Sequence, residues 1–343
     1  MTASRATAAT GRAATLPPGP PLLQVVVDTE EEFDWGAPFD RNSVSVRAIE
    51  AQPVAQEIFR PYALVPTYVI DYPVATTPSA VSVLRSIQHS GQCIIGTHLH
   101  PWVTPPAEER VTTFNSYPGN LPPDLEQRKL EALTAAIADG FGTRPTIYKA
   151  GRYGLGPATL NTLIALGYDI DLSVVPHTDL GADGGPDFRR YPAQPHWLGP
   201  HDEVLEIPLS RGFSGSAAAL GPAIFPAVEA GFGRALHLGG VLARSGLLER
   251  ATLTPEGNPL AAQKRLLRAM IGQGHRVFSL TYHSPSLMPG CTPYVRDAAD
   301  LRRFLDSIRG LLDFFFGELG GRPTTPYAVR DTARAQATGH RQP

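Results

Sequence analysis

The run Val25-Val26-Val27 breaks off abruptly into Asp28-Thr29-Glu30-Glu31-Glu32. Three β-branched residues in succession read as a strand buried on both faces, the mark of a parallel sheet covered by helices. The tip of such a strand is where an α/β fold gathers reactive groups, so these carboxylates mark a candidate site. A carboxylate run also suits a solvated loop or the first turn of a helix. What the other strand ends carry decides between the two.

Further strands are expected over Leu22–Asp28 (which contains the run), Ala63–Ile70, Gln92–Thr97, Thr146–Lys149, Ile170–Val175, Val204–Leu209 and Arg276–Tyr282. Helical spacing separates several of them, over Leu125–Ala138, Ala158–Leu166, Leu260–Ile271 and Ala298–Leu319. Strand and helix alternating at this length imply parallel strands with crossover helices. We expect an α/β fold, a distorted (β/α)7-type barrel of mostly parallel strands in a single domain. Residues 176–216 are rich in Gly, Pro, Asp and His without helical period, and read as long loops over one face.

A chain of 343 residues buries an ample core, and its net charge of −2 with no basic face points away from nucleic acid. No membrane span is expected. Residues 1–21, rich in Ala, Thr and Arg and ending in a Pro-rich run, read as a disordered leader without the apolar core of a secretory signal, so a cytoplasmic location is expected. The catalytic domain is assigned to residues 22–320. Residues 321–343 read as a polar tail, mobile over its last dozen residues. Cys93 and Cys291, the sole cysteines, exclude a disulfide framework and a Cys-based zinc site.

Three other strand ends carry complementary chemistry. Thr97-His98-Leu99-His100 follows an apolar run, and two His one residue apart project to the same side of an extended chain, where they can share a metal with a carboxylate such as Asp28 or Glu30. Tyr282-His283-Ser284-Pro285 closes a later strand with a candidate general acid or base. Tyr148-Lys149-Ala150-Gly151-Arg152-Tyr153-Gly154 supplies cations that would hold a carboxylate ionised, and glycines that let the backbone approach substrate.

In this order the clusters resemble the motifs of the polysaccharide deacetylases, the NodB-like domains of carbohydrate esterase family four. The resemblance spans roughly Leu22 to Gly320. It implies removal of acetyl groups from N-acetylated or O-acetylated saccharides by a metal-dependent hydrolase, with Zn as the expected ion. Carried over by residue, Asp28 would be the catalytic base and Glu30, His98 and His100 the metal ligands. His283 would be the general acid, Lys149 or Arg152 the cation that tunes Asp28, and Asp171 the residue that positions His283. Tyr153 would offer a backbone N–H to the oxyanion, and Trp35 and Trp102 would stack on sugar rings. Glu31 and Glu32 fall to a solvated turn.

The chain departs from the family pattern in two places. Thr29 separates the acidic pair, whose second member is Glu, and only Leu99 separates the two His where the common motif sets them four positions apart. A further ligand such as Asp34 or His177 would then complete the metal set. His-x-His also opens the sites of barrel amidohydrolases, and a deacetylase-like domain that binds glycan without turnover is a third reading. The saccharide, the choice between N- and O-deacetylation and the oligomeric state stay open.

Overall fold

Each strand of the sheet turns alternate residues inward and outward, and that alternation sorts the core into two layers. In the computed structural model, which describes residues 11–230 and 237–339, the strands are β1 Leu22–Thr29, β2 Thr67–Ile70, β3 Ile94–Leu99, β4 Ile147–Ala150, β5 Ile170–Asp171, β6 His196–Leu198, β7 Val204–Glu206, β8 Arg211–Ser214, β9 Glu249–Thr252, β10 Val277–His283 and β11 Arg322–Pro323. The sheet runs β10-β1-β2-β3-β4-β5-β7-β6, and every neighbouring pair from β10 to β7 is parallel. Seven parallel strands curl into the distorted barrel expected from the pattern. The short β6 is an antiparallel edge, and β8 and β9 form a separate antiparallel pair.

Leu23, Val25 and Val27 face outward into a large core shared with the surrounding helices, while Val26 faces inward with Val69, Ile147, Ile170, Leu205 and Val277. Parity therefore dictates which polar residues share the barrel mouth. Asp28 follows Val26 on the inner face, Lys149 follows Ile147, and His283 continues the line of Val277. Register sets Asp28 beside His283 and His98 beside Lys149.

The helices fall close to their expected positions, over Pro123–Phe141, Thr159–Ala165, Leu260–Gly272 and Ala298–Asp313, the last continued by a π-turn over Phe314–Glu318. Strand β2 starts at Thr67 rather than Ala63, because a 3₁₀ turn over Arg60–Tyr62 ends with Ala63 in the left-handed region at φ 51°. The region 176–216 is not all loop, since it holds β6, β7 and β8.

Both chain ends correct the sequence expectation. From residue 11 the leader is ordered: Ala13 bridges His196, the Ala14 N–H donates to Pro195 O at 2.9 Å, and Arg276 donates to the carbonyls of Pro17 and Pro20. The cause is the exposed edge of β6, whose backbone groups this segment satisfies. Residues 1–10 of the expected leader lie outside the described residues. The polar tail pairs β11 with β1 and then forms a helix over Pro326–Gly339. Val329 and Ala333 are buried against the inner core, Tyr327 Oη lies 2.9 Å from Thr146 Oγ1, and Arg330 Nη1 lies 2.6 Å from Asp169. Thr146 and Asp169 immediately precede β4 and β5, so this helix stoppers the bottom of the barrel. No helix among the described residues is long and apolar enough to cross a membrane.

One buried acid away from the mouth gives a test of the fold. Glu126, in the helix Pro123–Phe141, is 1% exposed and accepts the Thr159 Oγ1 proton at 2.5 Å. Burial pushes its pKa up from 4.5 to about 7, against the smaller opposing pull of the Thr159 bond. A carboxyl raised on folding leaves stability intact below the unfolded value, and stability falls as pH climbs through the folded value. Glu126→Gln should therefore stabilise the protein by up to about 3 kcal/mol at about pH 8 and by almost nothing at about pH 4. Urea melts of both proteins at the two pH values check this, and an equal gain at both would remove the assigned cause.

Candidate active site

Asp28 is 3% exposed and receives both of its hydrogen bonds from Lys149, whose Nζ lies 2.5 and 2.7 Å from the two carboxylate oxygens. Burial acts to raise the Asp28 pKa, but its positive surroundings, Lys149 foremost, outweigh it and bring the value to about 2. The carboxylate stays ionised and aligned. Of the two cations left open by the sequence, Lys149 faces Asp28. Arg152 instead lies over the Tyr117 ring at 4.1 Å and donates to Ser116 Oγ at 2.6 Å, with Asp183 at 3.2 Å, so it orders the rim loops.

Glu30, His98 and His100 are brought together as a triad with one ligand atom from each lying within 4.8 Å of the others. Glu30 Oε2 is 3.4 Å from His98 Nε2 and 3.5 Å from His100 Nε2. His98 Nδ1 is 3.0 Å from the Lys149 carbonyl, which can only accept, so that nitrogen carries the proton and Nε2 presents a lone pair. His100 Nδ1 is likewise engaged, at 2.8 Å from Glu31 Oε2. Burial lowers the pKa of both rings, that of His100 to about 4, and so keeps them neutral.

The donor set fits a divalent cation. Burial raises Glu30 to about 7 despite nearby histidines, and its Oε1 is buried with no hydrogen-bond partner among the described residues. A dication would supply the missing positive charge, and two imidazoles with one carboxylate form a three-ligand set of the catalytic zinc type. Asp34 is exposed and bonded to Gly36 N–H, and His177 lines a different cavity, so neither joins the cluster.

The solvated role expected for Glu31 is overturned. Glu31 is fully buried and takes three bonds: from His100 Nδ1, from Trp102 Nε1 at 2.8 Å, and through its own N–H to Asp71 Oδ2 at 2.6 Å. It orients His100 from behind, the carboxylate–histidine arrangement of metal sites. Glu32 is half-buried and accepts the Ala48 N–H at 2.7 Å, which anchors the turn at Arg47–Ala51. Trp102 is 2% exposed and stacked on His100 at 4.2 Å, so no ring face remains for a sugar. Lys129, also buried, holds its loop by donating to the carbonyls of Pro101, Thr104 and Pro106.

His283 Nε2 lies 3.6 Å from Asp28 Oδ2, and its Nδ1 lies 2.7 Å from Glu256 Oε2. Glu256 also accepts the His283 N–H at 3.1 Å and the Ser286 hydroxyl at 2.6 Å. Burial acts to lower the His283 pKa, yet Glu256 foremost, then Glu30 and Asp28, carry it up to about 10. The ring is therefore protonated and ready to donate. Glu256 holds the place expected for Asp171. Asp171 sits beside Tyr148 with outward parity, bonds Ser173 and shares a buried acid pair with Glu206, on the far side of the strand from His283.

Trp35 is half-buried, stacked on Phe33 at 5.5 Å and edge-on to His283 at 4.9 Å. Tyr153 has its ring 5.3 Å from Lys149 Nζ, in a loop where Arg152 and Tyr153 take φ of 52° and 58°. Gly151 is required just before them, since a Cβ there would lie 2.4 Å from Leu99 O and 2.5 Å from His100 Cδ2. Sequence reasoning missed Glu256, Glu31 and Asp71. The one legible signal was Glu256 itself, a lone carboxylate between the breakers Pro255 and Gly257.

Buried acid–base groups thus surround a metal-ready triad at the C-terminal mouth of the parallel strands, where folds of this kind gather reactive groups. No protein-family model and no curated protein matches the sequence. Among solved structures, the chain is similar to a protein described as a glycoside hydrolase/deacetylase from Parabacteroides distasonis, at 11% identity over 94% of this chain and 72% of that one, with a TM-score of 0.54. It is also similar to one described as a polysaccharide deacetylase from Mycobacterium smegmatis, at 18% identity over 94% of this chain and 96% of that one, with a TM-score of 0.48. A third is a mutant of the peptidoglycan deacetylase PdaC from Bacillus subtilis, at 9% identity over 95% and 97% of the two chains, with a TM-score of 0.43. The first of these carries the comparison, and it shows a shared fold.

The placement of Glu31 generates a prediction. Glu31→Gln should weaken zinc binding about 10- to 100-fold while leaving the fold intact, because His100 loses its anionic support. Zinc titration against a competing chelator measures it, and unchanged affinity would deny Glu31 that role.

Proposed function

We propose that this chain hydrolyses an acetamido group on a saccharide, releasing acetate and the free amine. The observation that carries the reading is the pairing of Asp28, kept ionised by Lys149, with His283, kept protonated by Glu256, 3.6 Å apart beside the Glu30, His98 and His100 triad. A base and an acid with pKa values pushed in opposite directions are the requirement for attack and departure on one substrate.

Asp28 takes the proton of the attacking water as its oxygen bonds to the carbonyl carbon. The Tyr153 backbone N–H is the donor assigned to the developing oxyanion. His283 then gives its Nε2 proton to the amine nitrogen as the C–N bond breaks, while Glu256 holds Nδ1 and steadies the ring. Glu30, His98 and His100 would hold a divalent metal, with zinc the expected ion, which would supply Lewis acidity toward the carbonyl. Trp35, packed edge-on to His283 at the rim, offers the apolar ring against which a sugar face would rest.

Metal analysis combined with acetate release from a panel of N-acetylated saccharides tests the whole reading. Stoichiometric metal and acetate are expected, and their joint absence would favour a glycan-binding domain without turnover. Asp28→Asn and His283→Ala should each lower kcat by about 10²- to 10⁴-fold. Asp28→Asn should do so with metal retained, and full activity in it would remove the assigned base.

Glu256 gives a pH test with a definite sign. The protonated His283 is the active form, so activity falls as pH rises through its pKa. Glu256→Gln removes the largest stabilising charge and should shift the alkaline limb of kcat to lower pH. A merely structural role would lower kcat at every pH and leave the limb in place.

A further inference from the structure

A second cavity, of about 510 Å³, lies beside β8 and shares no residue with the metal triad or its acid and base. Arg211, His177, His196 and His275 line it. Each has a buried nitrogen with no hydrogen-bond partner: Nε of Arg211, Nδ1 of His177, Nε2 of His196 and Nδ1 of His275. Buried polar atoms are almost always paired, and Arg211 Nε, an obligate donor, is the one of these that most needs an explanation. A shared metal does not provide it, since these imidazoles do not form a ligand cluster among the described residues.

Charge indicates what is missing. No aspartate or glutamate lines the cavity, and Arg211 makes no ion pair among the described residues. The nearby Arg250 is already committed to Glu229, with its Nη1 2.8 Å from Oε2. Burial, and then the Arg250 charge, lower the Arg211 pKa to about 10, which leaves it a cation short of counter-charge at neutral pH. Phe213 and Met270 give another wall of the same space an apolar surface. A guanidinium fork is the arrangement that recognises planar or tetrahedral oxyanions, and the volume is that of a small-molecule site.

We propose that this cavity is a second binding site, for a small organic anion that sets a phosphate or carboxylate against Arg211 and an apolar body against Phe213 and Met270. It stands independently of the hydrolytic reading. The histidines are neutral, as burial lowers His177 to about 4 and lowers His196 and His275 as well. Selectivity for charge thus falls on Arg211. His196 gives its Nδ1 proton to the Gln194 carbonyl at 3.0 Å and His275 is likewise bonded to the Ala193 backbone, so their free nitrogens carry lone pairs, and His177 is the ring left to donate a hydrogen bond.

Calorimetric titration of the full chain with phenyl phosphate and with benzoate, each at millimolar concentration, tests the site. At least one should bind, and the one that does names the headgroup; phenol, with the same ring and no charge, should not. Arg211→Gln should weaken binding at least tenfold. Because loss of a buried cation can disturb folding, Gln273→Glu is the deciding variant: Gln273 is exposed at the cavity wall, and a carboxylate there would answer Arg211 and exclude the anion, again at least tenfold. Asp28→Asn should bind like the wild type. No heat with either anion, undiminished binding in Gln273→Glu, or loss confined to Asp28→Asn would each overturn the proposal.

Discussion

The charge on Asp28 is the constraint on which the rest of the mouth depends. A carboxylate 3% exposed is tolerable only with a partner, and Lys149 supplies it with two hydrogen bonds. That bond requires β4, three strands along from β1, to be brought back toward it across a curled sheet, with both side chains of inward parity. A flat sheet would leave them too far apart. The curl of the sheet and the ionisation of the base are therefore one structural fact. Truncating either partner would strand the other charge in the interior at a cost of several kcal/mol.

The same economy extends to the metal-ready triad and the acid. His98 is oriented by the carbonyl of the very lysine that serves Asp28, and Glu30 donates its N–H to Ser284, the residue after His283. Four strand ends, those of β1, β3, β4 and β10, are thus cross-tied, so a displacement of one is felt by the others. Behind them stand Glu31, Asp71 and Trp102, none of which faces the mouth. Asp71 is held well above the usual carboxylate range by burial and by Glu31, which makes it a neutral hydrogen-bonding neighbour rather than a second charge.

The inner-face residues of the site were legible in the sequence because alternation in a strand is a local rule. Asp28, Glu30, His98, His100 and His283 all lie at or just beyond strand ends with the parity of their apolar predecessors. Asp171 failed on that rule, since Ile170 and Leu172 take the inward positions on either side of it. Glu256 was not legible as a partner of His283, because it reaches the mouth from a Pro- and Gly-rich loop after β9, and loops have no period from which to read direction. The leader and tail were misjudged for a related reason. Polar composition describes what a segment exposes, whereas the exposed edge of β6 and the open floor of the barrel decided where these segments pack.

The helix over Pro326–Gly339 has a consequence for traffic. With Val329 and Ala333 filling the floor and Val26, Val69 and Ile147 stacked above them, the barrel is a cup rather than a tube. Whatever arrives at Asp28 and His283 must leave through the opening by which it came. Entry and exit are then competing events at a single doorway, framed by the Trp35 and Arg152 loops, and the composition of that rim governs how quickly the cup empties.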